Sequence, residues 1–195
     1  MKKKIFIIIE AFIYITFMYA DYFNKFDTTL LKYFGILLCF IYCLINRKIY
    51  GILSFAFTLI ADYFLLVRLD NFPLGISSFI VVQIIYAIYT KSLTRKYCLL
   101  FRVCVPLLLI IIIKPNDLTT TLSLIYFPQL LISAFASIKY THNTLLSIGL
   151  LLFVGCDICV GLHNLDLYNK YYALGQWFFY LPSQVLIALA IKNKV

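Results

Sequence analysis

Residues 59–66 read Leu-Ile-Ala-Asp-Tyr-Phe-Leu-Leu and place one carboxylate, Asp62, inside an apolar run over residues 49–67. A second stretch of this kind, residues 153–159, reads Phe-Val-Gly-Cys-Asp-Ile-Cys and carries Asp157. A carboxylate at the centre of a bilayer costs roughly 2.5–3.5 kcal/mol on insertion scales, so it is rarely kept there without a use. Both stretches therefore predict membrane-spanning helices that carry a functional acid.

The composition is that of a membrane protein. The chain has 195 residues, of which 64% are hydrophobic and 13% are charged, whereas soluble domains have about 25% charged residues. One spanning helix needs about 20 apolar residues, so the short polar segments between apolar runs leave no room for a soluble domain. We predict a single integral-membrane helical domain over residues 1–195.

Polar, basic or proline-containing breaks divide the chain into apolar segments. They predict an all-α polytopic membrane protein with eight transmembrane helices, at about residues 5–20, 30–45, 50–67, 72–90, 97–113, 119–138, 144–162 and 172–191.

A weak internal similarity favours two similar four-helix halves in the same orientation. Asp62 lies six residues before Arg68 at the outer end of helix 3, and Asp157 lies six residues before His163 at the outer end of helix 7. At 1.5 Å per residue this places both carboxylates roughly 8–9 Å below the outer helix ends. The matched residues are few, and chance also produces such a pattern.

The basic residues predict the orientation. The net charge is +9, but these residues flank hydrophobic spans and form no soluble basic face, so we expect no nucleic-acid partner. Because Lys and Arg favour the cytoplasmic side, we place both termini in the cytoplasm, most simply of a bacterial cytoplasmic membrane. Twelve of the 17 basic residues are then inside, namely Lys2, Lys3, Lys4, Arg47, Lys48, Lys91, Arg95, Lys96, Arg102, Lys139, Lys192 and Lys194.

The amino terminus has the charged-then-apolar form of a signal peptide. The first helix of a polytopic protein has the same form and is not removed. We therefore expect this helix to be retained.

Asp62 and Asp157 are the candidate catalytic residues. Two carboxyl groups facing one pocket can divide the work, with one protonated as donor and the other ionised to activate water. The alternative is a structural pair, in which each Asp bonds a basic residue or a tyrosine hydroxyl and fastens helices together.

Lys32, Arg68 and His163 are predicted near the outer ends of helices 2, 3 and 7, close to the depth of the two Asp residues. Cationic side chains there can neutralise a phosphate head group. The alternative is that they anchor their helices at the membrane interface.

Polar residues inside helices 4 and 8 form a further candidate set. They can orient a lipid backbone or a water molecule, or they can form the interhelical hydrogen bonds that are common in membrane bundles. They are Gln83, Tyr86, Tyr180 and Gln184.

The cysteines and histidines predict neither redox chemistry nor a metal site. Cys156 and Cys159 have C-x-x-C spacing but lie inside an apolar helix, where cysteine behaves as a small hydrophobic residue. His142 and His163, the two histidines of the chain, lie at opposite ends of helix 7, which disfavours a shared metal.

Several short motifs resemble the YhhN family of membrane lysoplasmalogenases, over roughly residues 30–190. The resemblance includes a small residue before each Asp, here Ala61 and Cys156 where the family usually has Gly or Ser. Lys32 matches a family lysine, although Tyr33 follows where proline is common. The other matching residues are Gly75, Phe79, Gln83, Tyr86, Phe153, Tyr180, Gln184, Leu186 and Ile187.

The resemblance implies hydrolysis of the vinyl ether bond of lysoplasmalogens, which releases a fatty aldehyde and a glycerophospho-alcohol. It implies a lysophospholipid substrate taken from the bilayer, with no metal or organic cofactor. The two carboxylates are compatible with this chemistry, because it needs a proton donor and an activated water. The alternative is a proton-coupled transporter or carrier of small amphiphiles, since intramembrane carboxylates also serve proton relays. The sequence leaves the oligomeric state open.

Overall fold

A computed structural model describes residues 2–165 and 170–192, and this part of the chain contains helices and no strand. The prediction of an all-α fold with eight helices is confirmed. The helices are α1 Lys3–Phe23, α2 Thr29–Ile45, α3 Ile49–Asp62, α4 Phe72–Tyr89, α5 Lys96–Ile113, α6 Leu118–Tyr140, α7 Thr144–Leu165 and α8 Lys170–Ala190. A short 3₁₀ turn, Ser92–Thr94, precedes α5.

Seven helices of the described chain are long and apolar enough to cross a membrane, when α3 is counted together with the helical segment that continues it to Arg68. The remaining one, α2, is apolar but has only 17 residues. At 1.5 Å per residue it is about 25 Å long, against a hydrocarbon core of about 30 Å. Helix α2 is therefore at the lower length limit for a span.

Local side-chain chemistry sets the helix starts near the outer breaks. Asn71 accepts a hydrogen bond from the amide of Leu74, and Pro73 occupies the first turn of α4. Asp117 accepts from the amide of Thr120 at 2.6 Å at the start of α6. Such caps satisfy backbone donors that have no partner within the helix.

Helix α3 continues past Asp62 as a π-helical segment, Tyr63–Arg68. Such segments are rare and frequently lie at functional sites. Gly75 of α4 lies against this region, because a β-carbon there would come within 2.5 Å of the Leu65 side chain and 3.2 Å of the Ala61 carbonyl oxygen. The absence of a side chain at Gly75 therefore lets α4 approach α3 beside Asp62.

A second close approach joins α7 to α8. A β-carbon on Gly149 would lie 3.1 Å from the carbonyl oxygen of Ser183 and 3.2 Å from the amide nitrogen of Ile187. This packing holds the helix that carries Asp157 against the helix that carries Tyr180.

The likeness of the two four-helix halves stays a prediction.

Arg102, one of the basic residues placed on the inner side, is buried between helices. It donates hydrogen bonds to Gln129, Ser92 and Ser133. It thereby ties α5 to α6 and to the 3₁₀ turn. Lys194, also used to predict the orientation, lies outside the described residues.

Candidate functional site

A cavity of about 740 Å³ lies between α3, α4, α6, α7 and α8, mostly in the halves of these helices that are predicted to lie on the outer side. Asp62 and Asp157 both line it. The two carboxylates therefore share one pocket, as the sequence predicts, while their catalytic role stays a prediction. Most of the remaining wall is apolar and includes Leu65, Leu66, Ile76, Phe79, Leu124, Phe127, Phe153 and Trp177.

Asp62 is held by the phenol of Tyr180. The side chain is 5% exposed, and the Tyr180 hydroxyl lies 2.8 Å from each carboxylate oxygen. Since buried polar groups are costly when unpaired, this contact fixes both the position and the orientation of the Asp62 carboxyl group. Tyr180, predicted to contact substrate, lines the same cavity.

Asp157 is only partly buried, because one side of it faces the cavity. The phenol of Tyr126 on α6 lies beside its carboxyl group. The Oδ2 atom of Asp157 is buried against the protein and makes no hydrogen bond of good geometry with a described residue. Asp157 therefore lines the cavity while being held less firmly than Asp62.

Tyr126 is a candidate site residue that the sequence does not single out. It is one of 16 tyrosines in the chain, and it has no neighbouring charge that marks it. Whether Tyr126 lies level with Asp157 depends on the rotation of α6 about its axis and on its axial position relative to α7. Only the packing of the two helices determines these two quantities.

His163 also lines the cavity, near its outer end beside Asn164 and Leu165. The structure therefore brings four predicted site residues to one cavity, namely Asp62, Asp157, His163 and Tyr180.

Three other predicted substrate-binding residues, Gln83, Tyr86 and Gln184, are absent from the lining of this cavity. Gln83 and Gln184 are fully buried, and Tyr86 is 1% exposed. Gln184 donates to Ser183 on its own helix at 3.3 Å. A role in direct substrate contact stays a prediction for these three, and their burial favours a part in helix packing.

Arg68 lies away from the cavity wall. It forms an ion pair with Asp70 at 2.6 Å, with both side chains about half exposed. Exposed pairs of this kind contribute little to stability. Its position is that of an interface residue at the outer end of α3.

Lys32 lines a second, smaller cavity of about 270 Å³ between the outer ends of α1, α2 and α8. Its ammonium group forms an ion pair with Asp21 at 2.7 Å and lies 4.7 Å from the centre of the Trp177 ring. Lys32 and the Asp pair therefore belong to neighbouring cavities, with Trp177 in the walls of both.

The large cavity is lined along α7 by exposed apolar side chains. Ile158, Val160 and Leu162 line the cavity and are 37–48% exposed. This is the side of the cavity from which we expect an amphiphile to enter.

Cys156 lines the cavity close to both carboxyl groups. Cys159 packs on Gly175 of α8, where a β-carbon would come within 2.9 Å of its sulfur. Within the described chain, no three His, Cys, Asp or Glu side chains group together as metal ligands do.

The cysteines are expected to be passive. Replacing Cys156 and Cys159 together with Ala should leave any turnover within about tenfold of the parent, because neither thiol is needed to carry a proton. Purified variants compared at equal folded fraction give the measurement. Complete loss of turnover in a folded double variant would instead assign the chemistry to a thiol.

The geometry supports proton chemistry on an apolar substrate. Two carboxyl groups and two phenols line a space whose other walls are mostly apolar, and electrostatic interactions are stronger in such surroundings than in water. The arrangement offers one firmly held carboxyl group, Asp62, and one held less firmly, Asp157.

One comparison with known proteins gives a match. The model of a family described as the YhhN family matches residues 27–191, which include helices α2 to α8 and the whole wall of the large cavity. Comparison with curated proteins and with solved structures gives no match. Because the family match covers most of the chain, this protein belongs to the YhhN family.

Proposed function

We propose that the protein is a membrane hydrolase that cleaves the vinyl ether bond of lysoplasmalogen-type lysophospholipids. The observation that carries the proposal is the placement of Asp62 and Asp157 on one mostly apolar cavity that is lined along α7 by exposed apolar side chains. Membership in the YhhN family supports it. A substrate with one alkenyl chain and a polar head fits a cavity that extends from the outer surface into the bundle.

The chemistry divides into hydration of the enol ether and collapse of the hemiacetal. One carboxylic acid delivers its proton to the alkene carbon that is not bonded to oxygen, which gives an oxocarbenium ion. The other carboxylate takes a proton from water as the water oxygen bonds to the cationic carbon. In the collapse, the first group, now a carboxylate, takes the hemiacetal hydroxyl proton while the second, now an acid, protonates the departing glycerol oxygen. This releases a fatty aldehyde and a glycerophospho-alcohol and restores both groups to their starting states. General acid–base catalysis of this type typically contributes 10²–10⁴-fold.

The neighbouring residues have supporting roles in this proposal. Tyr180 holds the carboxyl group of Asp62, and Tyr126 places a phenol beside Asp157. The aromatic and aliphatic wall binds the hydrocarbon chain and keeps bulk water from the oxocarbenium ion.

The test is an assay of the purified protein in a non-phospholipid detergent, without any ion gradient. A panel of vinyl ether and saturated ether lysolipids is supplied, and aldehyde release is measured. Release from the vinyl ether lipids alone is the expected result. No release in detergent, together with pH-gradient-dependent uptake of the same lipids into proteoliposomes, would favour the transporter instead.

The orientation is part of the proposal. With both termini cytoplasmic, the large cavity opens toward the outer leaflet, because Arg68 and His163 mark the outer ends of α3 and α7. Reporter fusions after Lys96 and after Val195 should both report a cytoplasmic location. An external signal from either fusion would contradict the eight-span topology.

A further inference from the structure

The smaller cavity has the composition of an anion site. Two lysines, one aspartate and two amide side chains lie in its wall, which leaves one net positive charge. Its volume of about 270 Å³ exceeds that of a few water molecules, each of which occupies about 30 Å³ in the liquid. The polar side chains are Asp21, Asn24, Lys32, Lys170 and Gln176.

Lys32 is built into this cavity. Its side chain is 12% exposed, and its ammonium group is paired with Asp21, which also accepts a hydrogen bond from Thr28. The face of Trp177 lies 4.7 Å away and adds a cation–π contact. These contacts fix the ammonium group at the cavity wall.

Lys170 adds a second positive charge from the first residue of α8. Its ammonium group donates to the carbonyl oxygen of Tyr22 at 2.7 Å. That acceptor carries no net charge, and among the described residues no carboxylate forms an ion pair with Lys170. Phosphate oxygens are strong acceptors for such ammonium groups.

Trp177 connects the small cavity to the large one. Trp177 and Gln176 line both cavities. The Trp177 ring lies 5.4 Å from the ring of Tyr180, which in turn bonds Asp62. The lysines lie near the outer helix ends, and the carboxylates lie deeper. A lysophospholipid at an interface likewise has its phosphate nearer the surface and its ether bond deeper.

We propose that the small cavity binds the phosphate group of an amphiphile whose reactive bond lies between Asp62 and Asp157. The proposal rests on the proposed function for the reactive bond. The phosphate itself is recognised by Lys32 and Lys170, with the amides of Asn24 and Gln176 as further donors. Recognition of this kind makes the pair of cavities selective for phosphate-bearing lipids over neutral ones.

The experiment measures binding rather than turnover. Trp177 is the single tryptophan of the chain, so intrinsic fluorescence reports directly on the boundary between the two cavities. The purified protein is titrated with a saturated 1-alkyl lysophospholipid, with the corresponding 1-alkylglycerol and with inorganic phosphate. The saturated ether has no enol carbon to protonate, so these titrations are independent of hydrolysis.

The phosphate-bearing lipid should bind at least about tenfold more tightly than the alkylglycerol. Lys170→Gln and Lys32→Gln should each remove most of that difference. Lys25→Gln is the matched control, because Lys25 lies in the loop between α1 and α2, between the cavity residues Asn24 and Phe26, but is absent from the cavity wall. Lys170→Gln guards against a folding defect in Lys32→Gln, since Lys170 is exposed.

Saturable binding of inorganic phosphate that both lysine variants lose would support the site with free phosphate as its ligand. Selective lipid binding without a response to inorganic phosphate would support it with a lipid phosphate. Equal affinity for the two lipids without a response to phosphate would overturn the proposal, as would lipid selectivity that both lysine variants retain. Aldehyde release is measured separately, so the hydrolase proposal stands or fails by itself.

Discussion

Asp62→Asn and Asp157→Asn are each expected to lower turnover about 100-fold or more. Asparagine keeps the size of the side chain and removes the acid, and general acid–base steps are typically worth 10²–10⁴-fold. In Asp62→Asn the phenol of Tyr180 still has an oxygen to which it can donate, so the cavity should keep its shape. Aldehyde release by the purified variants is the measurement.

The double variant Asp62→Asn with Asp157→Asn should be little worse than either single variant. When two residues act as one unit, removal of either one already abolishes the contribution of both, so the two effects are not additive. A loss of turnover in the double variant equal to the product of the two single losses would mean that the two carboxylates contribute independently.

Asp70→Asn is the matched control for these substitutions. Asp70 follows the outer end of the α3 segment, but it is about half exposed and pairs with Arg68 outside the cavity. Its substitution should leave turnover unchanged within about twofold, because exposed ion pairs contribute little. Full turnover in either cavity variant would remove that Asp from the mechanism.

Filling the large cavity should also have a large effect. Gly161 lines the cavity, and a β-carbon there would meet no atom within 4 Å. Gly161→Trp is therefore expected to place an indole in open space and to lower kcat/KM for a vinyl ether lysolipid at least about tenfold, because it occupies volume that the substrate needs. The unfolding temperature in detergent should stay close to that of the parent, because no packed atom is displaced.

Gly161→Ala is the matched control, since a methyl group takes little of the cavity volume. It should retain kcat/KM within about twofold. Parental kcat/KM in Gly161→Trp would show that the substrate does not use this cavity, and loss of folded protein would show that the space is not open. The two outcomes are separated by recording thermal unfolding beside activity.

The helices could be predicted from the sequence because membrane insertion depends on the length of each apolar segment. Each predicted segment matches one helix of the structure. The largest difference is in α3, whose α-helical part ends at Asp62 and not at the predicted residue 67, and α1 and α7 are each three residues longer at their ends. The hydrophobic pattern does not distinguish α-helical from π-helical hydrogen bonding. It therefore gave no sign of the π-helical segment Tyr63–Arg68 after Asp62.

The candidate site could be predicted only in part from the sequence. Asp62 and Asp157 stand out because a carboxylate in an apolar run is costly, and their equal distance from the helix ends predicts one depth. Gln83 and Gln184 stand out in the same way, yet they are buried away from the cavity. Polarity within a span indicates that a side chain has a partner, but it does not identify that partner.

By itself the sequence determined the all-helical membrane fold and the order of the helices, because these depend on apolar length along one chain. Tertiary structure alone decided that Tyr126 lies beside Asp157 and that Trp177 lies in the wall between Lys32 and the large cavity. The rotation of each helix about its axis decides which side chains meet. That rotation is set by close contacts between helices, such as those at Gly75 and Gly149, and not by the order of residues within one helix.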